Sequence, residues 1–302
     1  MQTINQTLYY PSRRSVFRLY YLTDLHLGAK ACDEKQLKRD IDVIKNDPFA
    51  VWIGGGDYID AICQVGDRRY RPSALAKWAL GFDDVMGVQA QKTVELLSPI
   101  AHKCLALVKG NHENSAETFY ARQVYWEIVK GIADAAGKAP EALALGVNGF
   151  VRVLFRRGVP DSFGGSWLMT IYCHHGFGGG RLPGGHALAL GRVLGDFDCD
   201  LALMGHRHIE IALPKTVTRA GSGGGAVIQK RLAAFIPGYL NAYIKPSDDG
   251  HPTDSYSENM GLPPVPIGTR PIPISPDKRR YGVVVQNGAG IEDMDYEAAT
   301  VV

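Results

Sequence analysis

Phe17-Arg18-Leu19-Tyr20-Tyr21-Leu22-Thr23-Asp24-Leu25-His26 reads as a buried strand that hands a carboxylate and an imidazole to the loop at its tip. Just downstream, Asp33 to Asn46 spaces Leu37, Ile41 and Ile44 on one helical face and stops before Pro48. Strand followed by helix is the opening of an α/β layer, and the pattern continues. A second strand, Phe49 to Ile53, runs into Gly54-Gly55-Gly56-Asp57, and a third, Cys104 to Val108, runs into Gly110-Asn111-His112-Glu113. Between them Ser73 to Leu97 is expected to be helical, with Leu75, Trp78, Val85 and Met86 facing the core, and another helix is expected over roughly Ala116 to Ala135. In the second half, Val151 to Phe155 and Trp167 to Cys173 read as strands, the latter ending in His174-His175-Gly176. A Gly-rich loop through Gly185, a helix near Ala187 to Leu194 and a strand Leu201 to Met204 follow, the last ending in Gly205-His206-Arg207-His208.

Beyond about Lys245 the composition turns to Pro, Gly, Ser and Asp, with Pro263, Pro264, Pro266, Pro271 and Pro273 close together. One domain over residues 1–245 is therefore expected, with residues 246–302 as an extension that packs on it or trails from it. The chain carries 33 basic and 31 acidic residues, so bulk charge gives no footprint for nucleic-acid binding. No apolar run approaches the ~18 residues of a membrane span, and Met1 to Ser15 is too polar for a secretory signal, which makes a cytoplasmic protein with no membrane partner the expectation. The five cysteines are scattered without a Cys-x-x-Cys pair and read as reduced thiols. Glycine is the excess: 35 residues of 302, against an average of about 7%, without a collagen repeat.

Six of the nine histidines, His26, His112, His174, His175, His206 and His208, lie just past expected strand ends beside Asp, Asn or Gly. Histidines scattered through a core would not gather there. In Asp24-x-His26 and His206-x-His208 the spacing of two places both side chains on one side of an extended backbone. Glycines ahead of Asp57, Asn111 and His206 leave the backbone free to turn and to let a ligand approach.

Taken together, Asp24-x-His26, Gly56-Asp57, Gly110-Asn111-His112-Glu113, His174-His175-Gly176 and Gly205-His206-x-His208 resemble the five ordered motifs of the calcineurin-like metallophosphoesterase superfamily. They span Asp24 to His208, about two thirds of the chain. The resemblance implies a four-layer α/β sandwich, two mixed β-sheets flanked by helices, with a dinuclear centre at the strand ends. It makes Asp24, His26 and His208 ligands of one metal, Asp57 the bridge, and Asn111, His206 and one of the His174–His175 pair ligands of the second. His175, directly before glycine, is the favoured member, with His174 the alternative, because neighbouring side chains on a strand point to opposite sides. Two divalent ions are implied, from among Mn, Fe, Zn and Co with Mn favoured; the bridging carboxylate screens their repulsion and the ions acidify water. The implied activity is hydrolysis of phosphate esters, diesters preferred, by attack of a metal-bound hydroxide. His112 would act beside the phosphoryl group, with Glu113 as its orienting partner. Purple acid phosphatases carry an iron-binding tyrosine where this chain has Asp60, which sets that branch aside. The Gly-rich loop after His175 is similar to bacteriophage-encoded members, and nucleotides and nucleic acids are among the implied substrates.

Blander readings stand beside these. Arg181, in the Gly-rich stretch, could contact substrate or belong to an irregular surface loop. Arg68, with Arg69 and Arg71, could line the cleft or form a solvated basic face. Gly221 to Ala226 superficially matches a dinucleotide fingerprint but lacks a βαβ unit, and there is no phosphate-binding loop of the Gly-x-x-x-x-Gly-Lys-Ser/Thr type. The competing class is a binding or scaffold protein that keeps the fold without turnover.

Overall fold

The computed structural model describes residues 1–62, 67, 70–180, 182–221, 223–243, 261, 263–287, 290–297 and 300–301. In chain order the first half comprises β1 (Gln2–Tyr10), β2 (Phe17–Leu22), α1 (Glu34–Asn46), β3 (Ala50–Gly54), α2 (Val85–Leu97), β4 (Cys104–Val108), α3 (Asn111–Tyr120) and α4 (Val124–Ala136). The rest comprises β5 (Ala144–Gly146), β6 (Asn148–Val159), β7 (Ser162–His174), α5 (Pro183–Asp196), β8 (Leu201–Met204), β9 (Ile211–Ala220), β10 (Ala226–Phe235), β11 (Ile272–Ser275), β12 (Arg280–Asn287), β13 (Gly290–Glu297) and β14 (Thr300–Val301).

The strands form two mixed sheets. One runs β1-β6-β7-β8-β10-β14, with β9 paired to β10; the other runs β13-β12-β11-β2-β3-β4-β5. Alternation along each strand decides what lies between them. Leu19 and Tyr21 of β2, Ile53 of β3, Val151 and Val153 of β6 and Ile171 of β7 all turn into one buried cluster that joins the sheets. Tyr20, Leu22 and Trp52, on the opposite face, pack with Leu37, Ile41 and Ile44 of α1 and Ile128 and Ile132 of α4. Leu190 and Val193 of α5 cover Ala202 and Ala233 on the outside of the first sheet. Helix, sheet, sheet, helix is thus the four-layer α/β sandwich expected. Among the described residues no helix is long and apolar enough to cross a membrane.

Differences from the expected elements have local causes. The stretch 73–97 is not one helix: short 3-10 turns at Pro72–Ala74 and Lys77–Ala79 precede α2, because Gly81 adopts φ +83° and Asp84 caps a new start by accepting from Gly87 N–H. The helix expected over 116–135 is two, broken at Ala121, whose φ is +54°. Strand β1, unexpected in a polar stretch, is a sheet edge paired in parallel with β6 that buries only Ile4 and Tyr10. Gly221 and Gly225 lie in the turn between antiparallel β9 and β10, a hairpin and not a nucleotide loop. Beyond residue 245, β11 pairs with β2 and buries Ile272 and Ile274 between the sheets, so part of the expected extension is built into the core.

Candidate metal centre

Strands β2, β3 and β4 run parallel in one sheet, and β7 and β8 run parallel in the other, so all the histidine-bearing loops open at one end of the sandwich. Direct bonds sew the two sheets together there. Tyr21 Oη donates to the His174 carbonyl (2.9 Å) and His206 N–H to Asp24 Oδ2 (2.8 Å), while within the first sheet Gly205 N–H donates to the His175 carbonyl (2.7 Å). The approach is close enough that a Cβ on Gly110 would collide with the backbone nitrogen and carboxylate of Asp57, and one on Gly205 with Thr23 and the Asp24 carboxylate.

The two aspartates divide their oxygens in the same way. Asp24 Oδ2 accepts from Thr23 Oγ1 (2.7 Å) and His206 N–H, leaving the buried Oδ1 without a hydrogen-bond partner. Asp57 Oδ1 accepts from His112 N–H (2.8 Å), and its Oδ2 turns inward, 3.1 Å from His175 Nε2 and 3.8 Å from His26 Nε2. Around Asp24 Oδ1 stand His208 Nε2 at 3.4 Å and His26 Nε2 at 3.9 Å, and neither ring nitrogen of the buried His26 has a hydrogen-bond partner. Around Asp57 Oδ2 stand His175, His206 and Asn111. The Asn111 side-chain oxygen lies 2.9 Å from His175 Nε2, 2.8 Å from His206 Nδ1 and 3.2 Å from Asp57 Oδ2.

These residues fit a pair of cations. Ligand atoms about 2.1 Å from one ion are separated by about 3 Å at right angles and by no more than about 4.2 Å; the carboxylate-to-imidazole separations given for the two groups, 3.1 to 3.9 Å, fall in that range. In the first group the buried Asp24 Oδ1 and both His26 ring nitrogens have no hydrogen-bond partner; such atoms are costly in an apolar setting and are satisfied by a positive ion. Three groups of potential ligand atoms lie close enough together to hold an ion: Asp24–His26–His208, Asp57–His175–His206 and His26–Asp60–His112; the first two match the ligand sets expected from the sequence. Asp57 Oδ2 is within 4 Å of a nitrogen of each. His175 Nδ1 faces the Gly55 carbonyl at 2.8 Å, which orients the ring and keeps its Nε2 toward the centre.

The backbone beneath these side chains is unusual. Asp24, His26, Asp57, His206 and His208 all have positive φ, between +46° and +68°. A non-glycine residue there costs on the order of 1–2 kcal/mol, and such conformations gather at functional sites. Asp24 and His26 therefore converge through a left-handed loop beyond the end of β2, not through an extended backbone. His206 and His208 are shared out between the two groups for the same reason.

Charge follows the geometry. Burial opposes ionisation of Asp57, but His112, His175 and His26 around it prevail and hold its carboxyl well below the usual range. Burial, then His112, drives His26 well down toward the neutral form. Burial also works against a charged His175, yet Asp57 and Asp24 push it up to about 10.

Of the His174–His175 pair, His175 enters the centre, while His174 turns away. Its Nδ1 accepts from Gly176 N–H (2.7 Å), its ring lies near Tyr172 and Phe177, and burial brings it down to about 4. His112 points its Nε2 toward Asp57 Oδ2 at 3.9 Å and pairs its Nδ1 with the Asp60 carbonyl. Glu113 is a correction. It was expected to orient His112, but its buried carboxylate is taken up by four backbone N–H groups: Asp57 (2.9 Å) and Gly110 (2.9 Å) on Oε2, Tyr58 (2.7 Å) and Ile59 (3.3 Å) on Oε1. Burial and the Asp57 charge push it up to about 7.

Asp60 is the residue that sequence reasoning passed over. Besides holding His112 through its carbonyl, its carboxylate lies 3.8 Å from His26 Nδ1. Its signal was the spacing Gly56-Asp57-x-x-Asp60. Tyr58 faces away and donates to the Val108 carbonyl (2.9 Å). Arg68 and Arg181, candidate substrate contacts, lie outside the described residues.

No protein-family model matches the chain, and no curated protein matches it. Solved structures do. A conserved uncharacterized protein, described as a predicted phosphoesterase, from Streptococcus pneumoniae aligns over 93% of this chain and 98% of its own, at 11% identity and TM-score 0.34. A Vps29 double mutant from Entamoeba histolytica aligns over 93% and 100%, at 13% identity and TM-score 0.35. A metallophosphoesterase from Sphaerobacter thermophilus aligns over 82% and 95%, at 12% identity and TM-score 0.33. In its layer order and in the sequence of its ligand motifs the chain is similar to the calcineurin-like metallophosphoesterase superfamily.

Proposed function

We propose that this chain is a dinuclear metal-dependent phosphoesterase acting on phosphodiesters. The observation that carries the reading is Asp57 Oδ2, one buried carboxylate oxygen within 4 Å of nitrogens from two separate groups of ligand atoms. Asp24, His26, Asp57 and His208 would hold one divalent ion, and Asp57, Asn111, His175 and His206 the other. Such ions supply charge neutralisation at phosphoryl oxygens and lower the pKa of water toward ~7.

The chain's own groups do the rest. His112 stands beside Asp57 on the first turn of α3, its Nδ1 proton engaged by the Asp60 carbonyl, so its Nε2 is the atom left to carry a proton to a leaving oxygen. Asp57 and Asp60 favour the charged ring against burial, which suits an acid acting on a poor leaving group. That supports a diester over a monoester substrate, and cyclic nucleotides and nucleic acids are diesters of this class. Imidazole suits Fe, Zn or Co and the carboxylate and amide oxygens suit Mn; among these Mn is the ion we favour.

The test is hydrolysis of bis-p-nitrophenyl phosphate and p-nitrophenyl phosphate with added Mn²⁺. The diester should be turned over faster, and D57N should lose more than about 100-fold in rate. Parent and D57N rates that coincide across Mn²⁺, Fe²⁺, Zn²⁺ and Co²⁺ would leave the scaffold alternative standing in its place.

A further inference from the structure

Glu113 is a buried acid with a job the reaction does not explain. It touches none of the histidines through a hydrogen bond; both of its oxygens accept from backbone N–H groups, two each. Three of those donors, Asp57, Tyr58 and Ile59, belong to the loop after β3, and the fourth, Gly110, is the N-cap of α3, just past β4. Four converging donors need an acceptor-only group with two oxygens, which a carboxylate is and an amide is not. The loop after β3 carries Asp57, which lies near both ligand groups, and the one after β4 leads directly into Asn111 and His112 at the start of α3.

We infer that Glu113 is a positioning residue that sets the spacing between the two metal positions by locking the Asp57 loop to the start of α3. The inference rests on the reading of the centre as dinuclear. The neighbouring packing points the same way. Gly110 is pressed between the Asp57 backbone and the Glu113 carboxylate so closely that no Cβ fits, and Asp57 Oδ1 returns a bond to His112 N–H. One side chain thus sets both the height of Asp57 and the entry of α3, and neither loop can move without breaking bonds to it. Outer groups that orient metal ligands typically change metal affinity or rate by about 10–100-fold when replaced.

E113Q is the direct test, because it keeps the shape but turns an NH₂ against N–H donors. Mn²⁺ binding measured by calorimetry should weaken about 10–100-fold. The rate at limiting Mn²⁺ should fall in parallel, KM for bis-p-nitrophenyl phosphate should stay within about twofold, and saturating Mn²⁺ should restore most of kcat. A lost rate that saturating Mn²⁺ does not restore, with Mn²⁺ binding unchanged, would overturn the inference by placing Glu113 in the reaction itself. Parental affinity and rate together would overturn it by making the four bonds dispensable. If E113Q does not fold, E113D, which keeps the charge but shortens the reach, takes the same three readouts. Should the parent turn over no diester, the proposed activity falls, while the Mn²⁺ binding comparison still decides the role of Glu113.

Discussion

Two glycine-rich regions flank the centre, and they differ in what surrounds them. At Gly110 and Gly205 an added Cβ would strike Asp57 or Asp24 and its neighbour Thr23, whereas at Gly179, Gly180, Gly184 and Gly185 it would meet nothing within 4 Å. Gly110 is glycine because the adjacent loops after β3 and β4 press together around Asp57, and Gly205 because the two sheets bring their loops into contact at Asp24. The second set lies in the loop after His175 and the first turn of α5, where open space leaves no steric demand. Composition shows both as one excess; only the first belongs to the chemistry.

Substitutions can break or sharpen that contrast. The largest effect is expected from G110A. Overpacking against backbone and a buried carboxylate should cost about 3 kcal/mol and should abolish Mn²⁺ binding, read by denaturant unfolding and calorimetry. A G110A chain of parental stability that still binds Mn²⁺ would show that the close approach is not required. Chelation comes next, since the ligand loops hold five left-handed non-glycine residues and facing lone pairs. A chain holding metal at 100 times its dissociation constant should lose about 2.7 kcal/mol of stability on treatment with EDTA, seen as a lower thermal midpoint. No shift at any Mn²⁺ concentration would separate the centre from metal.

Ala121 is the mirror case, a left-handed residue away from the ligands, exposed, and not glycine. A121G should stabilise the chain by about 1 kcal/mol and leave hydrolysis unchanged; a loss of activity would give that helix end a role it is not assigned here. The smallest effect is expected at Gly185, inside α5 with open space around it. G185A should add about 0.5–1 kcal/mol, and a destabilised variant would mean that the loop's glycines are constrained after all.

Much of this was legible in the residues, for physical reasons that can be named. The apolar run Phe17 to Leu22, read as a buried strand, and the 37-41-44 face of α1 bury the side chains expected. Parallel strands put their motif loops at one end, which is why residues from Asp24 to His208 meet. What was not legible depends on distance. The left-handed backbone at Asp24, His26 and His206 follows from loop closure; Asp and His tolerate it better than most residues, but that modest preference does not say which of them adopt it. Glu113 was given the wrong partner because its neighbour in sequence, His112, was nearer in the chain than the N–H groups of residues 57 to 59. Strand β1 escaped because an edge strand that buries only Ile4 and Tyr10 shows little hydrophobic alternation. The helix break at Ala121 escaped because alanine is the best helix former and carries no stop signal.

The account stands on two cations sharing Asp57. The most direct measurement is anomalous scattering from Mn²⁺-soaked crystals, collected for the parent and for D57N. The parent should show two peaks, one among Asp24, His26, Asp57 and His208 and the other among Asp57, Asn111, His175 and His206, and D57N should lose at least one of them. A parent with no peak, or with a single peak that does not touch Asp57, would contradict it.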